Sequence, residues 1–168
     1  MNLGLNRSEK LVTEAKTLGE LKASNYQVLP VREEMRRNLM AKLQAEEDVF
    51  PNIIGYQETV IPQIENAILS GQDIILLGER GQAKSRIIRS LTCLLDDRTP
   101  VLAEVEIPEN PYAPVSAQGK KIVREQGDDA AIEWISPDQR YGEKLATPDI
   151  TIADLIGEVD PIKIAEGR

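Results

Sequence analysis

Nine consecutive residues, GERGQAKSR at positions 78–86, combine glycines, a lysine and a serine at the spacing of a phosphate-binding loop. The general pattern of such a loop is G-x-x-x-x-G-K-[ST], and this chain carries alanine where the second glycine is expected. In the loop, backbone N–H groups converge on a phosphate, the lysine reaches the β- and γ-phosphates, and the serine hydroxyl binds Mg²⁺. These two roles fall on Lys84 and Ser85, while Gly78 and Gly81 would allow sharp bends and a close approach of the phosphate.

The pattern therefore predicts a site for ATP and Mg²⁺. Ser85 is the predicted metal ligand, and no residue is predicted to be catalytic, because Lys84 only assists with the phosphate charge. The alternative is a solvated turn that caps the next helix. The predicted cofactor-binding residues of the loop are Gly78, Glu79, Arg80, Gly81, Gln82, Ala83, Lys84, Ser85 and Arg86.

Alanine at position 83 is the smallest departure from the general pattern. Its methyl group would obstruct the site only if residue 83 needed a positive φ, where alanine is sterically disfavoured. We expect Ala83 to lead directly into the next helix and to be tolerated, so that Ala83→Gly would lower stability slightly and leave binding unchanged.

The flanking elements have the context that such a loop requires. Residues 73–77, DIILL, form a short apolar run that predicts a parallel strand buried on both faces. From Lys84 to Leu95, apolar residues return at helical spacing. The motif thus falls between a predicted strand and a predicted helix, which favours the nucleotide site over the solvated turn.

The rest of the chain is predicted to alternate between helices and short strands. Helices are predicted from Pro30 to about residue 47 and over 57–70, the second ended by Gly71, with strands over 101–107 and 130–135. Residues 108–128, rich in Pro, Gly and charge, are expected to be irregular. Short helical starts are expected at Ser136 and near Thr151.

Composition excludes several classes of function. A net charge of −8 argues against binding nucleic acid by bulk electrostatics, and the absence of histidine excludes a Ser-His-Asp triad and Cys/His metal sites. Cys93 is the only cysteine, so no disulfide framework exists. No apolar run approaches membrane-spanning length, and we expect a cytoplasmic protein without a membrane partner.

Three segments resemble AAA+ ATPases of the magnesium-chelatase I-subunit and MoxR-like group. They are FPNIIGY at 50–56, the loop itself, and ATPDITIADLIGEVDPIKIAEGR at 146–168, where Asp154, Leu155, Gly157 and Asp160 match a family insertion that reads roughly D-x-L-x-G-x-x-D. The first of these segments lines the adenine pocket in that family. The resemblance implies that Ile53, Ile54, Gly55 and Tyr56 hold the base.

The resemblance also implies the fold class and the organisation of the chain. The expected fold is α/β, a three-layer P-loop NTPase core with a mainly parallel sheet, preceded by helices. A helical segment would cover 1–48, and the N-terminal part of the ATPase domain would cover 49–168. The family forms homo-oligomeric rings that remodel a partner protein, in some cases one with a von Willebrand A domain.

One departure from the family limits what we expect this chain to do. No apolar run followed by Asp and Glu, which would be the acidic strand that holds Mg²⁺ and activates water, follows Lys84. We therefore expect the front part of a longer ATPase, which binds ATP without hydrolysing it alone. The alternatives are a non-hydrolysing regulatory module and, less favoured because of the flanking segments, a phosphate-loop kinase.

Overall fold

The computed structural model describes residues 15–145, 147–157 and 165. Their α-helices are α1 (Leu18–Ala23), α2 (Val31–Gln44), α3 (Val60–Leu69), α4 (Lys84–Ser90), α5 (Ala117–Gln126), α6 (Pro137–Arg140) and α7 (Ile152–Ile156). Short 3₁₀ helices cover Leu91–Leu94 and Gly127–Asp129, and the strands are β1 (Thr99–Leu102) and β2 (Ile132–Ile135). Among these residues, no helix combines the length and apolarity needed to cross a membrane.

A helical core packs α2, α3, α4 and the first 3₁₀ helix around the segment before α3. Ile61, Ile64 and Ile68 lie three and four residues apart on α3, so they share one face of that helix and are all buried. They belong to a cluster of Leu39, Val49, Phe50, Ile53, Ile61, Ile64, Ile68, Ile87 and Leu94, which we call the helical core.

Helix α3 ends at a glycine motif shortly before the 78–86 loop. Gly71 has φ +66°, and its N–H donates to Ile68 O at 3.0 Å, while the N–H of Gln72 donates to Ala67 O at 2.9 Å. This pair of bonds is a Schellman motif, which uses glycine because an L side chain is disfavoured at that φ. The predicted stop at Gly71 is confirmed.

A second core lies around the two-stranded antiparallel sheet formed by β1 and β2, in which Thr99 pairs with Ile135 and Leu102 with Ile132. Leu18 of α1 donates its N–H to Ala130 O at 2.9 Å, which attaches that helix to the chain just before β2. We call this group the sheet core, and its buried members are Ala15, Leu18, Leu21, Leu102, Ala130 and Ile132.

The two N-terminal helices therefore pack in different places, α1 on the sheet core and α2 on the helical core. The predicted division at residue 48 stays a prediction, and residues 1–14 of the first segment lie outside the described part of the chain. The sheet of the described residues is antiparallel and two-stranded. The predicted three-layer parallel architecture likewise stays a prediction.

Two sequence expectations for 101–128 were wrong. The strand predicted over 101–107 ends at Leu102, because the chain turns there and Leu102 N donates to Glu109 O at 3.0 Å. The region expected to be irregular contains α5, which begins after Ser116, whose hydroxyl accepts a hydrogen bond from Gly119 N at 2.8 Å. Ile122 and Val123 then pack this helix on the sheet core.

A buried ion pair joins the two halves of the chain. Arg140 donates to both carboxylate oxygens of Glu34, at 2.7 and 2.5 Å, and to the Thr99 hydroxyl at 2.6 Å. The N–H of Asp96 also donates to Glu34, at 2.7 Å, and only 4% of the Glu34 side chain is exposed. The face that α2 buries therefore includes Glu34, whereas the apolar Val31 at the start of the helix is 51% exposed.

Replacing Arg140 by leucine should lower the free energy of unfolding by about 3–5 kcal/mol, because it leaves the Glu34 carboxylate buried without its counter-charge. Urea denaturation measures this difference. The control is Arg32→Ala, since Arg32 pairs with Asp73 at 2.8 Å on the surface and its loss should cost at most ~1 kcal/mol. Equal effects of the two substitutions would contradict the structural role assigned to the buried pair.

A second buried carboxylate, Glu109, organises the start of α5. It accepts hydrogen bonds from Val115 N at 2.7 Å, Ser116 N at 3.0 Å and the Ser116 hydroxyl at 2.6 Å. A Cβ at Gly119 would collide with Glu109 Oε1, which explains a glycine inside this helix. Burial raises the pKa of Glu109, but the bonds from Ser116 and Val115 outweigh it and hold the pKa below its ordinary 4.5.

Because the folded pKa of Glu109 lies below the unfolded value, its ionised form stabilises the fold above about pH 4.5, and that contribution disappears as pH falls through the folded pKa. Glu109→Gln should therefore be less stable than wild type at pH 7, and the gap should narrow as the pH is lowered from 5 towards 3. Urea midpoints across this range test it. Glu133→Gln, on the exposed side of β2, should show no such convergence.

Candidate functional site

The segment before the loop is only half covered. Ile74 and Leu76 pack against the helical core, whereas Ile75 and Leu77 are 83% and 89% exposed. No strand of the described residues pairs with 73–77. The predicted burial on both faces is therefore not observed in this part of the chain, although the inward residues do fix where the loop begins.

The loop itself is bent by residues with positive φ. Gly81 has φ +83°, and Ala83 has φ +54° and ψ 13°, the left-handed conformation. Helix α4 begins at the next residue, with Ile87 N donating to Ala83 O at 2.9 Å. Ala83 does lead directly into α4, but the expectation that residue 83 would not need a positive φ was wrong, because the backbone takes the left-handed conformation at this N-cap position.

Lys84 turns back over the loop rather than out to solvent. Its Nζ donates to Gly78 O at 2.8 Å and also to Glu79 O. The ammonium group is thus held against the first two residues of the motif. Ser85 and Arg86 are exposed at the start of α4, and Glu79 and Arg80 are exposed in the loop.

The Gln82 side chain folds over the same place. A Cβ built on Gly78 would collide with Gln82 Oε1 and would lie 3.8 Å from Lys84 Nζ. Glycine at 78 therefore leaves room for the end of the Gln82 side chain. The motif describes residue 82 only as one of four variable positions, so no pattern in the sequence singled it out for this location.

The predicted adenine-pocket residues divide between core and surface. Ile53 is buried in the helical core, while Ile54 is 84% exposed. Gly55 has φ +89°, and the Gln57 side chain holds this turn by accepting from Gly55 N at 2.9 Å and donating to Ile53 O at 3.1 Å. Residues 53–57 therefore form a turn before α3 that is held by hydrogen bonds.

Tyr56 connects this turn to the loop. Its hydroxyl donates to Gln82 O at 3.4 Å, although the two residues are 26 positions apart. The structure thus brings Tyr56 to the phosphate loop, and it leaves Ile53 in the core. A base held beside Tyr56 would lie next to the end of the motif.

In the described part of the C-terminal segment that resembles the family, Asp154 has a local structural role. Asp154 accepts hydrogen bonds from Thr151 N at 2.9 Å and from the Thr151 hydroxyl at 2.8 Å, which caps α7 and confirms the helical start predicted there. Hydrogen bonds from Thr151, and then from Lys144, lower the pKa of Asp154. Asp160 and the side chain of Leu155 lie outside the described residues.

One contact near the site was not foreseen. Arg89 of α4 donates from Nε and from one NH₂ group to the two oxygens of Glu143, at 2.8 and 2.7 Å, and the Tyr141 hydroxyl donates to the same carboxylate at 3.0 Å. These bonds, chiefly the one from Arg89, lower the pKa of Glu143 to about 2. The pair is 54 residues apart, so no local pattern could predict it.

An apolar groove of about 300 Å³ lies beside the 73–76 segment that leads into the loop. It lies between α2, α3 and α4, with Arg32 among its lining residues. Within 15–145, 147–157 and 165, no group of three or more His, Cys, Asp or Glu residues is placed to hold a metal ion. Ser85 remains the predicted Mg²⁺ ligand.

Comparison of the chain with protein-family models, with curated proteins and with solved structures finds no match. The loop geometry and the sequence motif are therefore the observations from which a function is argued.

Replacing Ala83 by glycine should raise the free energy of unfolding by about 0.5–1 kcal/mol, because glycine removes the steric cost of the left-handed conformation and loses part of that gain to backbone entropy. The opposite sign is expected for Ala41→Gly, in the middle of α2, which should cost up to about 1 kcal/mol. Urea denaturation of both variants measures the contrast. Destabilisation by Ala83→Gly would contradict the left-handed geometry at 83.

Proposed function

We propose that this chain binds ATP with Mg²⁺ through residues 78–86. The observation that supports this most strongly is the conformation of the motif, in which residues of positive φ curve the backbone and Lys84 Nζ lies against Gly78 and Glu79. Curved loops of this kind present backbone N–H groups to an anion, and a lysine ammonium adds a positive charge at the same point.

The position of Tyr56 supports a nucleotide rather than a simple anion. Its ring is anchored beside the loop by the hydrogen bond to Gln82 O. An aromatic ring near a phosphate site offers a surface on which a base can stack. On this proposal Tyr56 contacts the base, Lys84 contacts the phosphates and the Ser85 hydroxyl holds Mg²⁺.

We further propose that the chain belongs to an AAA+ ATPase of the magnesium-chelatase I-subunit or MoxR-like group, which works as a ring and remodels a partner protein. The resemblance of 50–56, 78–86 and 146–168 to that group supports this proposal. It is independent of the binding proposal, since a non-hydrolysing nucleotide-binding module would use the same loop.

Lys84→Ala should weaken binding of ATP in the presence of Mg²⁺ by about tenfold to a hundredfold, because it removes a charge-assisted contact to phosphate. Isothermal titration calorimetry of the wild type and the variant measures the change. The control is Lys121→Ala, a lysine on the exposed side of α5 away from the loop, which should bind as the wild type does.

Circular dichroism of each variant verifies that the fold is retained, since Lys84 also bonds to the loop carbonyls. Wild-type affinity in a folded Lys84→Ala variant would overturn the binding proposal. Phosphate release by the full-length protein then separates the two activities: turnover that Lys84→Ala abolishes supports the ATPase, and binding without turnover supports the regulatory module.

A further inference from the structure

The end of the Gln82 side chain lies beside Gly78 and Lys84, the first glycine and the lysine of the motif. The position that a Cβ of Gly78 would take is 3.3 Å from Gln82 Cδ and 3.8 Å from Lys84 Nζ, and it overlaps Gln82 Oε1. The carboxamide and the ammonium group therefore converge on one point beside the backbone of residue 78. A phosphate that contacts Lys84 there cannot share this volume with the carboxamide.

The backbone around Gln82 is constrained, whereas its side chain is exposed. The Gln82 carbonyl accepts the hydrogen bond from the Tyr56 hydroxyl at 3.4 Å, and both neighbours, Gly81 and Ala83, have positive φ. Rotation about the side-chain bonds of Gln82 is the simple way to clear the loop.

We infer that Gln82 competes with phosphate for this loop, so that its side chain must swing out before a nucleotide binds at full strength. The inference rests on the proposed nucleotide site and concerns the control of its affinity. A carboxamide oxygen is a neutral acceptor, whereas a phosphate carries charge and forms stronger bonds with Lys84 and with N–H groups. The nucleotide therefore wins the exchange, but with reduced net affinity.

The inference predicts opposite effects for two substitutions at one position. Gln82→Ala removes the competitor and should tighten ATP binding in the presence of Mg²⁺ by about threefold to tenfold, as expected if the Gln82 side chain leaves the loop clear in about a tenth to a third of wild-type molecules. Gln82→Glu places a carboxylate beside Lys84, where it should pair with the ammonium and repel phosphate, and binding should weaken by about tenfold or more.

Isothermal titration calorimetry with ATP and Mg²⁺, on the whole chain, measures these affinities. The matched control is Gln44→Ala at the exposed end of α2, which should leave the affinity unchanged. Lys84→Ala is measured alongside, because it reports on the site itself. Tighter binding by Gln82→Ala, together with weaker binding by Gln82→Glu, supports the inference.

The remaining outcomes separate the inference from the proposed function. If the wild type binds and Lys84→Ala weakens it, but Gln82→Ala binds no more tightly than the wild type, the competition is overturned while the nucleotide site stands. The competition is also overturned, with the site intact, if Gln82→Glu binds as well as the wild type. If neither the wild type nor Gln82→Ala binds ATP, both the site and the competition are overturned.

Discussion

Burial of the Glu34 carboxylate is tolerated only because Arg140 meets it from 106 residues further along the chain. Burial and the nearby carboxylates of Asp96 and Glu34 raise the pKa of Tyr26 to about 12, so this phenol stays neutral beside them. The pair couples α2, which belongs to the helical core, to Thr99 at the start of β1. The pair is therefore one of the contacts that connect the helical core, against which the segment before the 78–86 loop packs, to the start of β1.

Within the loop, three residues adopt conformations that their local sequence does not predict. Alanine takes a left-handed conformation at 83, a lysine turns inward to bond loop carbonyls, and a glutamine folds onto Gly78. Unfavourable backbone geometry of this kind persists when the surroundings fix it, and it concentrates at functional sites. The occurrence of all three features within seven residues supports the proposal that the motif binds a ligand.

The segment that leads into the loop sets the scope of the proposed function. Ile74 and Leu76 anchor it to the helical core, while Ile75 and Leu77 face away, and none of the described strands pairs with it. Binding of a nucleotide needs only the loop and its anchors. The ATPase motor also needs the parallel sheet and the acidic strand that the family resemblance implies, so that part of the proposal extends beyond the described residues.

The sequence by itself determined the elements whose signals are local. The helices α2 and α3, the stop at Gly71 and the helical start near Thr151 each depend on residues within one or two turns, and the structure confirms them. The tertiary structure decided the burial of Glu34, the antiparallel pairing of β1 with β2, the φ of Ala83 and the location of the Gln82 side chain. These features depend on groups that are distant in sequence or on how the chain enters a helix, and such contacts leave no periodic pattern in the residues themselves.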